Sequence, residues 1–506
     1  MSSNNFSYSL INPISVVLDK PSKDFQRGDF LKVIKKKNIE RITFHYTAMD
    51  GRLKELKLPV TSSHNTELIL AEGERVDGSS LFKGIIDNDV SDLYVMPEYK
   101  TAFLNPFDKG SLDFICRYLT KDGERACFAP DNILAKSYKL FHVNTELELY
   151  ALGELEFYLV RDKGQNLYSI LPQEAYHESA PFRKNGDILN EIIRLTSEIT
   201  GAVKYAHSEV GFIETIESEI EQINGKQAEQ LELEFSTKSI EEMADALVVG
   251  RWIIRNVAYQ HGCLATFVPK LDENAAGNGL HVHLELKKDG KNIMRNMDGK
   301  LSEEAIRLIG GLCKYADSLT AFGNIVTSSY LRLVPDQEAP TRIYCSELNR
   351  SALIRIPLGW SNVYDLARVV NPHEESIFEG ARRRQTVELR SPDGSSLVHL
   401  LLAGMTMSAE WAFKESNSLK LAEKFYVKGN SVQDEENISD FPMLPASCVE
   451  SSKVLLEKRE LYERERIFPS SVIEYIVNLL KKENYDLKGY ERLDEIKRIM
   501  HKDLYC

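Results

Sequence analysis

The sequence predicts an α+β protein with at least two domains, and three observations carry this prediction. The chain has 506 residues, which is more than a single hydrophobic core normally supports. Short alternating strand patterns dominate the first 130 residues, whereas strand and helix patterns alternate after them. Hydrophobic residues make up 43% and charged residues 27% of the chain, and these globular values exclude disordered and collagen-like classes.

The N-terminal region predicts a small β-rich domain. Residues 1–28 are polar and are interpreted as an extension, so the domain itself is assigned to residues 29–130. Apolar and polar residues alternate on both sides of Asp50-Gly51, a dipeptide that favours a hairpin turn. Further strands are expected in DLYVMPE, TAFLNPF and DFICRYL, and Asp122-Gly123 indicates a second turn.

Residues 131–506 are interpreted as one larger domain with a helical C-terminal region. A helix is predicted from Ser239 to Gly262, because a capping box formed by Ser239 and Glu242 precedes an apolar helical pattern. A second helix is predicted over residues 302–322, and the last 110 residues are expected to be mostly helical. Strands are predicted at LGELEFYLV, CLATFVP, GLHVHLEL and residues 385–390.

The composition excludes several function classes. The chain has 76 acidic and 63 basic residues and a net charge of −13, which disfavours nucleic acid or an anionic membrane as a partner. The sequence contains no apolar run of transmembrane length, and its N-terminus lacks the pattern of a signal peptide. The seven cysteines are scattered without a C-x-x-C pair, so neither a disulfide framework nor a thiolate zinc site is predicted. A cytoplasmic protein is expected.

Functional side chains recur at alternate positions of the predicted strands, where residues i and i+2 share a face. The pairs are Glu154 and Glu156, His207 and Glu209, Glu232 and Glu234, His281 and His283, and Glu388 and Arg390. One such pair is usually a solvated strand face. Several together predict a shared site, because buried carboxylates repel one another unless a cation lies between them. Ligand sets rich in oxygen favour Mg²⁺ or Mn²⁺ over zinc.

Arginines are frequent in the same region of the chain. They are residues 332, 342, 350, 355, 382, 383, 384 and 390. Guanidinium groups bind phosphate and carboxylate oxygens, and a metal site beside them is typical of phosphoryl transfer from a nucleotide. The spacing of residues alone therefore predicts a metal-dependent enzyme that uses a phosphorylated substrate.

Eight motifs that carry these side chains follow one another along the chain. They are G-E-L-E-F, H-S-E-V, Q-L-E-L-E-F, N-G-L-H-V-H, S-Y-L-R-L, P-D-Q-E-A-P, N-R-S-A-L-I-R-I-P and V-E-L-R-S-P-D. In this order they resemble the glutamine synthetase family, and the resemblance runs from about residue 39 to 405. It implies an N-terminal β-grasp domain and a C-terminal catalytic α/β domain with a curved, mainly antiparallel sheet and flanking helices. It also implies a homo-oligomer of stacked rings.

The resemblance further implies ATP as co-substrate and two divalent cations, Mg²⁺ or Mn²⁺, at each active site. The ligands of one cation would be Glu156, Glu209 and Glu232, and those of the other Glu154, His281 and Glu388. The residues that contact the nucleotide would be His283, Arg350 and Arg355, and those that contact L-glutamate would be Gly277, Arg332 and Arg390.

Three residues are matched to catalytic roles by the same resemblance. Arg350 would neutralise charge on the transferred phosphoryl group. Asp77, in the motif D-G-S-S, would deprotonate the incoming amine in a neighbouring subunit, and Glu338 would close over the intermediate.

The sequence departs from the family around the substrate. Ala276 replaces a common Asn, Glu285 replaces a Ser near the expected nucleotide, and Lys204 stands where a Glu is frequent. The connection between Glu209 and Glu232 is longer than usual, and Asn224-Gly225 predicts a hairpin within it. The glutamates of this insert are interpreted as solvated.

Two activities are compatible with these departures. The first is synthesis of glutamine from ATP, L-glutamate and ammonia. The second is formation of a γ-glutamyl amide from a larger amine, such as a polyamine or ethanolamine. A non-catalytic relative is a third interpretation, but its mark would be missing metal ligands, and all six positions are filled.

Overall fold

The computed structural model describes residues 8–86, 91–164, 167–334, 339–359, 366–376, 384–428, 438–483 and 493–505. The strands are β1 (Arg41–Thr47), β2 (Leu53–Pro59), β3 (Glu74–Asp77), β4 (Asp92–Pro97), β5 (Phe103–Leu104), β6 (Ser111–Leu119), β7 (Glu148–Arg161), β8 (Val203–Ile213), β9 (Gln227–Phe235), β10 (Lys238–Ser239), β11 (Leu264–Thr266), β12 (Leu280–Lys288), β13 (Lys291–Asn292), β14 (Cys345–Glu347), β15 (Ile354–Ile356) and β16 (Val387–Leu389). The helices are α1 (Pro13–Leu18), α2 (Arg27–Lys37), α3 (Ser63–Glu72), α4 (Gly78–Leu81), α5 (Pro130–Thr145), α6 (Gly186–Thr200), α7 (Ile240–Gln260), α8 (Glu303–Gly323), α9 (Ser329–Arg332), α10 (Leu366–Val370), α11 (Val398–Lys414), α12 (Ser418–Lys424), α13 (Cys448–Glu457), α14 (Arg459–Glu463), α15 (Ser470–Lys482) and α16 (Leu493–Lys502).

The N-terminal sheet has the strand order β2-β1-β6-β4-β3, and β5 pairs with β6. Strands β1 and β6 are parallel, whereas β1 and β2 form the predicted antiparallel hairpin. Gly51 has a φ of +75° at the turn of this hairpin, which is a conformation that glycine adopts without strain. The hairpin and the strands in DLYVMPE and DFICRYL are confirmed, and TAFLNPF contributes only the two-residue strand β5.

Residues of the predicted N-terminal extension pack onto this sheet. Ile14 of α1 is fully buried, and the Asn12 side chain donates a hydrogen bond of 2.8 Å to the carbonyl of Ala102. Residues 12–14 are therefore anchored to the N-terminal domain. The domain boundaries at residues 28 and 130 remain predictions.

The catalytic sheet has the strand order β14-β15-β16-β12-β7-β9-β8, with β10 and β11 on β7 and β13 on β12. Strands β14 and β15 pair in parallel, and the strands from β15 to β8 pair antiparallel along the order of the sheet. The predicted α+β class with a mainly antiparallel catalytic sheet is confirmed. Strand β7 pairs with β12, β9, β10 and β11, and its residues are largely buried.

Long helices cover the face of the sheet opposite the cavity described below. Leu247 of α7 lies so close to β7 that a Cβ on Gly153 would approach its side chain to 2.7 Å. The predicted helices are confirmed as α7 and α8, and Ser302 caps α8 by accepting from the backbone N–H of Ala305. The capping box predicted at Ser239 is wrong, because Ser239 pairs with Tyr150 as part of β10 and its side chain makes no cap. In the described part of the chain, no helix combines the length and apolar composition that a membrane span needs.

The long connection predicted after Glu209 joins β8 to β9. Strands β8 and β9 are antiparallel, and residues 214–226 turn between them with Gly225 at a φ of +75°. The four glutamates of this connection are exposed, as expected. We refer to residues 214–226 as the β8–β9 connection.

Candidate active site

Side chains of neighbouring strands lie opposite one another in three rows across the catalytic sheet. In the first row, His281 of β12 is opposite Glu154 of β7, which is opposite Glu234 of β9. In the second row, Glu156 of β7 is opposite Glu232 of β9. Because paired residues of antiparallel strands have Cβ atoms only about 5 Å apart, this register alone brings distant parts of the chain together.

The second row continues to His207 of β8, which is opposite Glu232. In the third row, His283 of β12 is opposite Glu388 of β16, which is opposite Arg355 of β15. The alternation of the strands then places all three rows on one face of the sheet.

This face is the wall of a cavity of about 1310 Å³. The predicted site residues that line it are Glu154, Glu156, Glu209, Glu232, Gly277, His281, His283, Arg332, Arg350, Arg355, Glu388 and Arg390. Asp77 is described but is not among the lining residues, and Glu338 lies outside the described residues. The structure therefore brings together twelve of the predicted positions in one place.

Glu154, His281 and Glu388 form one group whose potential ligand atoms all lie within 4.8 Å of one another. His281 Nδ1 is 2.9 Å from Glu154 Oε2 and 3.7 Å from Glu388 Oε1. Burial opposes the charge of Glu154, but His283 and His281 outweigh burial and hold its pKa well below the ordinary value. Glu154 therefore remains a negatively charged carboxylate at neutral pH, and its oxygens can act as metal ligands.

His207, Glu209 and Glu232 form a second group, and their potential ligand atoms also lie within 4.8 Å of one another. His207 Nε2 is 3.1 Å from Glu232 Oε1. Burial, together with the charges of Glu156 and Glu232, raises the pKa of Glu209 to about 8. His207 was not among the predicted ligands, although its i and i+2 spacing with Glu209 is a signal that could have identified it.

The chemistry of these two donor sets fits divalent cations. Burial and the charges of Glu154 and Glu156 raise the pKa of Glu232 well above its usual value, which shows that the carboxylates repel one another without a counter-charge. A cation between them removes this repulsion, and carboxylate oxygens with few nitrogens suit Mg²⁺ or Mn²⁺. The residues present therefore fit the metal that the motifs imply.

Arginine side chains lie around the first group and line the cavity. Arg355 Nη1 donates to Glu388 Oε2 at 2.9 Å, and Arg390 Nε donates to Glu388 Oε1 at 3.0 Å. Arg390 Nη1 and Arg355 Nε are buried and have no hydrogen-bond partner among the described residues. Arg332 is held in place by donating to the carbonyl of Ser391 at 2.9 Å. Arg332, Arg355 and Arg390 all line the cavity, where guanidinium groups can bind the anionic oxygens of a substrate.

The loop before β12 closes one side of the cavity, and we call residues 272–277 the substrate loop. The Ala276 N–H donates to Gln173 Oε1 at 2.8 Å, and the Tyr158 hydroxyl donates to the Ala276 carbonyl at 2.8 Å. The Gly277 carbonyl accepts from Gln230 Nε2 at 3.0 Å. These contacts fix the backbone of the loop at Ala276 and Gly277.

A side chain at position 277 is expected to displace this loop. A Cβ on Gly277 would lie 2.6 Å from the carbonyl oxygen of Pro269 and 2.9 Å from Arg332 Cγ. We expect Gly277→Ala to lower the kcat/KM of the catalysed reaction about 100-fold, because a shift of about 1 Å misplaces a bound substrate. Gly28→Ala is the matched control, since its Cβ would meet nothing within 4 Å. Unchanged kinetics in Gly277→Ala would contradict a role of the loop in binding.

Asp77 and Arg350 lie away from the centre of the site. Asp77 is exposed at the end of β3, and the hydroxyls of Ser79 and Ser80 donate to its carboxylate and lower its pKa. Arg350 is exposed at the rim of the cavity, and its guanidinium lies 6.0 Å from the ring centroid of Tyr176. Arg350 therefore has a clear path to a bound ligand, whereas Asp77 faces solvent on the N-terminal domain.

Comparisons with known proteins agree with this geometry. Residues 128–498 match the family model described as glutamine synthetase, catalytic domain, and residues 38–121 match glutamine synthetase, beta-Grasp domain. The glutamine synthetase of Pyrococcus horikoshii is 31% identical over 399 residues, which cover 77% of this chain and 80% of that protein. The glutamine synthetase of Aquifex aeolicus is 26% identical over 510 residues, which cover 94% and 96% of the two chains.

Solved structures show the same fold. The glutamine synthetase of Plasmodium falciparum superimposes with a TM-score of 0.70 at 21% identity, and the match covers 95% of this chain and 99% of that one. The complex of GmaS with ADP gives a TM-score of 0.68 at 19% identity, with 93% and 99% covered. The predicted β-grasp and catalytic domains are thereby confirmed. The chain belongs to the glutamine synthetase family and is an ATP-dependent ligase of that type.

Proposed function

We propose that the protein joins L-glutamate and ammonia to form glutamine, with ATP converted to ADP and phosphate. The observation that carries this proposal is the position of the two ligand groups, Glu154–His281–Glu388 and His207–Glu209–Glu232, in one cavity. The guanidinium-bearing side chains of Arg355 and Arg390 line the same space. Anionic oxygens from both a nucleotide and an amino acid can therefore be bound side by side.

The first step of the proposed reaction transfers the γ-phosphoryl group of ATP to the γ-carboxylate of glutamate. A carboxylate resists attack by an amine because its carbon carries delocalised negative charge, whereas an acyl phosphate has a good leaving group. Arg350 and Arg355 would bind phosphoryl oxygens, and Arg332 and Arg390 would hold the carboxylates of glutamate. The divalent cations, when bound, would neutralise charge on the phosphate oxygens.

The second step requires a neutral amine and the exclusion of water. Ammonium must lose a proton before it attacks, and we assign this proton to Asp77 of an adjacent subunit in a ring-shaped homo-oligomer. The exposure of Asp77 outside its own chain's cavity is compatible with this arrangement. Glu338 would close over the acyl phosphate and limit its hydrolysis.

A larger amine is the second candidate acceptor. Ala276 places only a methyl group beside Gly277, at a position where the family commonly has an amide that contacts the substrate. The removed side chain leaves space, and a primary amine with an alkyl tail would bury apolar surface there. A polyamine or ethanolamine is the class of acceptor that this observation favours.

A panel of amines separates the two candidates. With L-glutamate, ammonia and Mg²⁺ or Mn²⁺, we expect release of phosphate from ATP. We also expect glutamine as the product, separated from glutamate and detected with ninhydrin or by mass spectrometry. Release with ammonia alone supports glutamine synthesis, and release only with a larger amine supports the second candidate. No release with any amine and either cation would contradict both.

A further inference from the structure

The C-terminal residues 493–505, which we call the C-terminal clasp, pack against the β8–β9 connection. Lys497 Nζ is 2.6 Å from Glu217 Oε2. Arg498 binds Glu219 with both a 2.7 Å and a 2.8 Å hydrogen bond. Each exposed ion pair contributes little to the free energy of folding. Together they show that the β8–β9 connection carries negative charges complementary to the positive charges of helix α16.

His501 connects the β8–β9 connection to the segment that precedes the substrate loop. Its side chain is buried, with Nδ1 2.8 Å from Ser218 Oγ and Nε2 3.0 Å from the carbonyl oxygen of Leu271. Burial lowers the pKa of His501, so the neutral ring is favoured. A carbonyl only accepts, so Nε2 carries the proton and Nδ1 accepts from the Ser218 hydroxyl. The imidazole therefore joins two segments with two directed hydrogen bonds.

Leu504 adds an apolar anchor next to His501. It is fully buried in a small core that is separate from the main one, and its carbonyl accepts from Thr266 Oγ1 at 2.7 Å. The other buried members of this core are Tyr158, Val160, Ile213, Ile216, Ile223, Ala228, Val268, Leu271 and Ala275. Because the burial of an apolar side chain is favourable, the clasp is attached by more than surface charge.

The same small core continues into the substrate loop. Ala275 belongs to both, and its carbonyl accepts from Lys270 Nζ at 2.7 Å. Tyr158, another member of the core, donates to the carbonyl of Ala276. One side of the loop therefore rests on a core that the clasp completes, and the other side faces the cavity.

We propose that the C-terminal clasp holds the substrate loop in its binding position, with His501 as the positioning residue and the β8–β9 connection as its support. This inference rests on the proposed function, because it takes glutamate as the molecule that the loop contacts. A loop held in place before binding loses less conformational entropy when the substrate binds. The additional length between the two ligand-bearing strands then has a role, since Ser218, Glu217 and Glu219 all come from it.

The test compares His501→Ala with the intact enzyme in its assembled form. We expect the KM for L-glutamate to rise about tenfold, as two hydrogen bonds to the loop support are lost, while kcat and the KM for ATP change less than about twofold. His501→Gln, whose amide can still donate to Leu271, should recover part of the change. His261→Ala is the matched control, because that histidine is partly exposed and pairs with Glu191 instead.

Hydrogen exchange of the free enzyme gives a readout that does not depend on activity. We expect amides of residues 264–277 to exchange at least about tenfold faster in His501→Ala, and those of the helix α8 to remain unchanged. Unchanged exchange in the loop overturns the proposal, and so does an equal rise in the KM for glutamate and for ATP. If the intact enzyme does not use glutamate, the proposed function fails while the exchange result still decides whether the clasp holds the loop.

Discussion

Glu388→Gln is expected to reduce glutamate-dependent phosphate release by at least about 100-fold and to weaken Mn²⁺ binding by a similar factor. The Glu388 side chain is 1% exposed and lies between the guanidinium groups of Arg355 and Arg390. Glutamine keeps the shape of the side chain but removes the negative charge that Glu388 contributes to the group with Glu154 and His281. Its NH2 group would also oppose an N–H donor of one of the two arginines. The loss of the negative charge leaves the site more positive and less able to attract a cation.

Two measurements check this prediction. Mn²⁺ binding is measured by equilibrium dialysis, and phosphate release is measured with saturating ATP and glutamate. Glu229→Gln is the matched control. Like Glu388, Glu229 is a buried strand glutamate, but it lies on β9, accepts hydrogen bonds from Asn185 and belongs to neither ligand group. Unchanged Mn²⁺ binding and activity in Glu388→Gln would contradict the assignment of Glu388 as a metal ligand.

Arg117→Met is expected to lower the free energy of unfolding by about 3–5 kcal/mol, which is typical when one partner of a buried ion pair is removed. Arg117 of β6 donates to both carboxylate oxygens of Asp245 on α7 and to Glu98 at 2.8 Å. These contacts join the N-terminal domain to the catalytic domain. Methionine keeps much of the volume but removes the guanidinium group from Asp245 and Glu98.

Urea unfolding at neutral pH measures the change, and Arg75→Met is the control. Arg75 and Asp92 form a pair at 3.3 Å with 67% and 64% of the side chains exposed, so its loss should cost less than about 1 kcal/mol. Equal destabilisation by both variants would contradict the importance of the buried pair.

The same ion pair predicts how stability depends on pH. Burial opposes the charge of Asp245, but Arg117 and His399 outweigh burial and hold its pKa far below the usual range. A carboxyl with a depressed folded pKa contributes its full stability above the unfolded pKa of about 3.9 and loses it as the pH falls through the folded value. The contribution should therefore be constant at neutral pH and decline only in strong acid.

The ligand-bearing residues could be predicted because a strand repeats every two residues. Glu154 and Glu156, or His281 and His283, share a face in any straight strand, so local sequence indicates where their side chains point. The resemblance carried by the motifs predicted two ligand sets; the structure groups Glu154, His281 and Glu388 as in one of them, and groups Glu209 and Glu232 with His207 instead of Glu156. The same reasoning predicted the hairpin at Asp50-Gly51 and helix α8, since their signals lie within about 20 neighbouring residues.

Other features depended on contacts between distant residues. The capping box at Ser239 was mispredicted: Ser239 precedes α7 and pairs with β7, and its side chain makes no capping hydrogen bond. His207 joined a ligand group because β8 lies beside β9 in a register that brings it opposite Glu232. The contact of His501 with Leu271 spans 230 residues of sequence, and no local pattern indicates it.

By itself the sequence determined the kind of chemistry: the carboxylates, imidazoles and guanidiniums, their spacing on strands, and the family to which they belong. The tertiary structure alone decided which of these side chains meet. Antiparallel register sets His281 opposite Glu154 and His283 opposite Glu388. The mutual charge of buried groups then lowers the pKa of Glu154 and raises the pKa of His283. The tertiary structure also decided that residues 493–505 pack beside the substrate loop. The reason is that burial of the Leu504 side chain in the small apolar core is more favourable than its exposure to water.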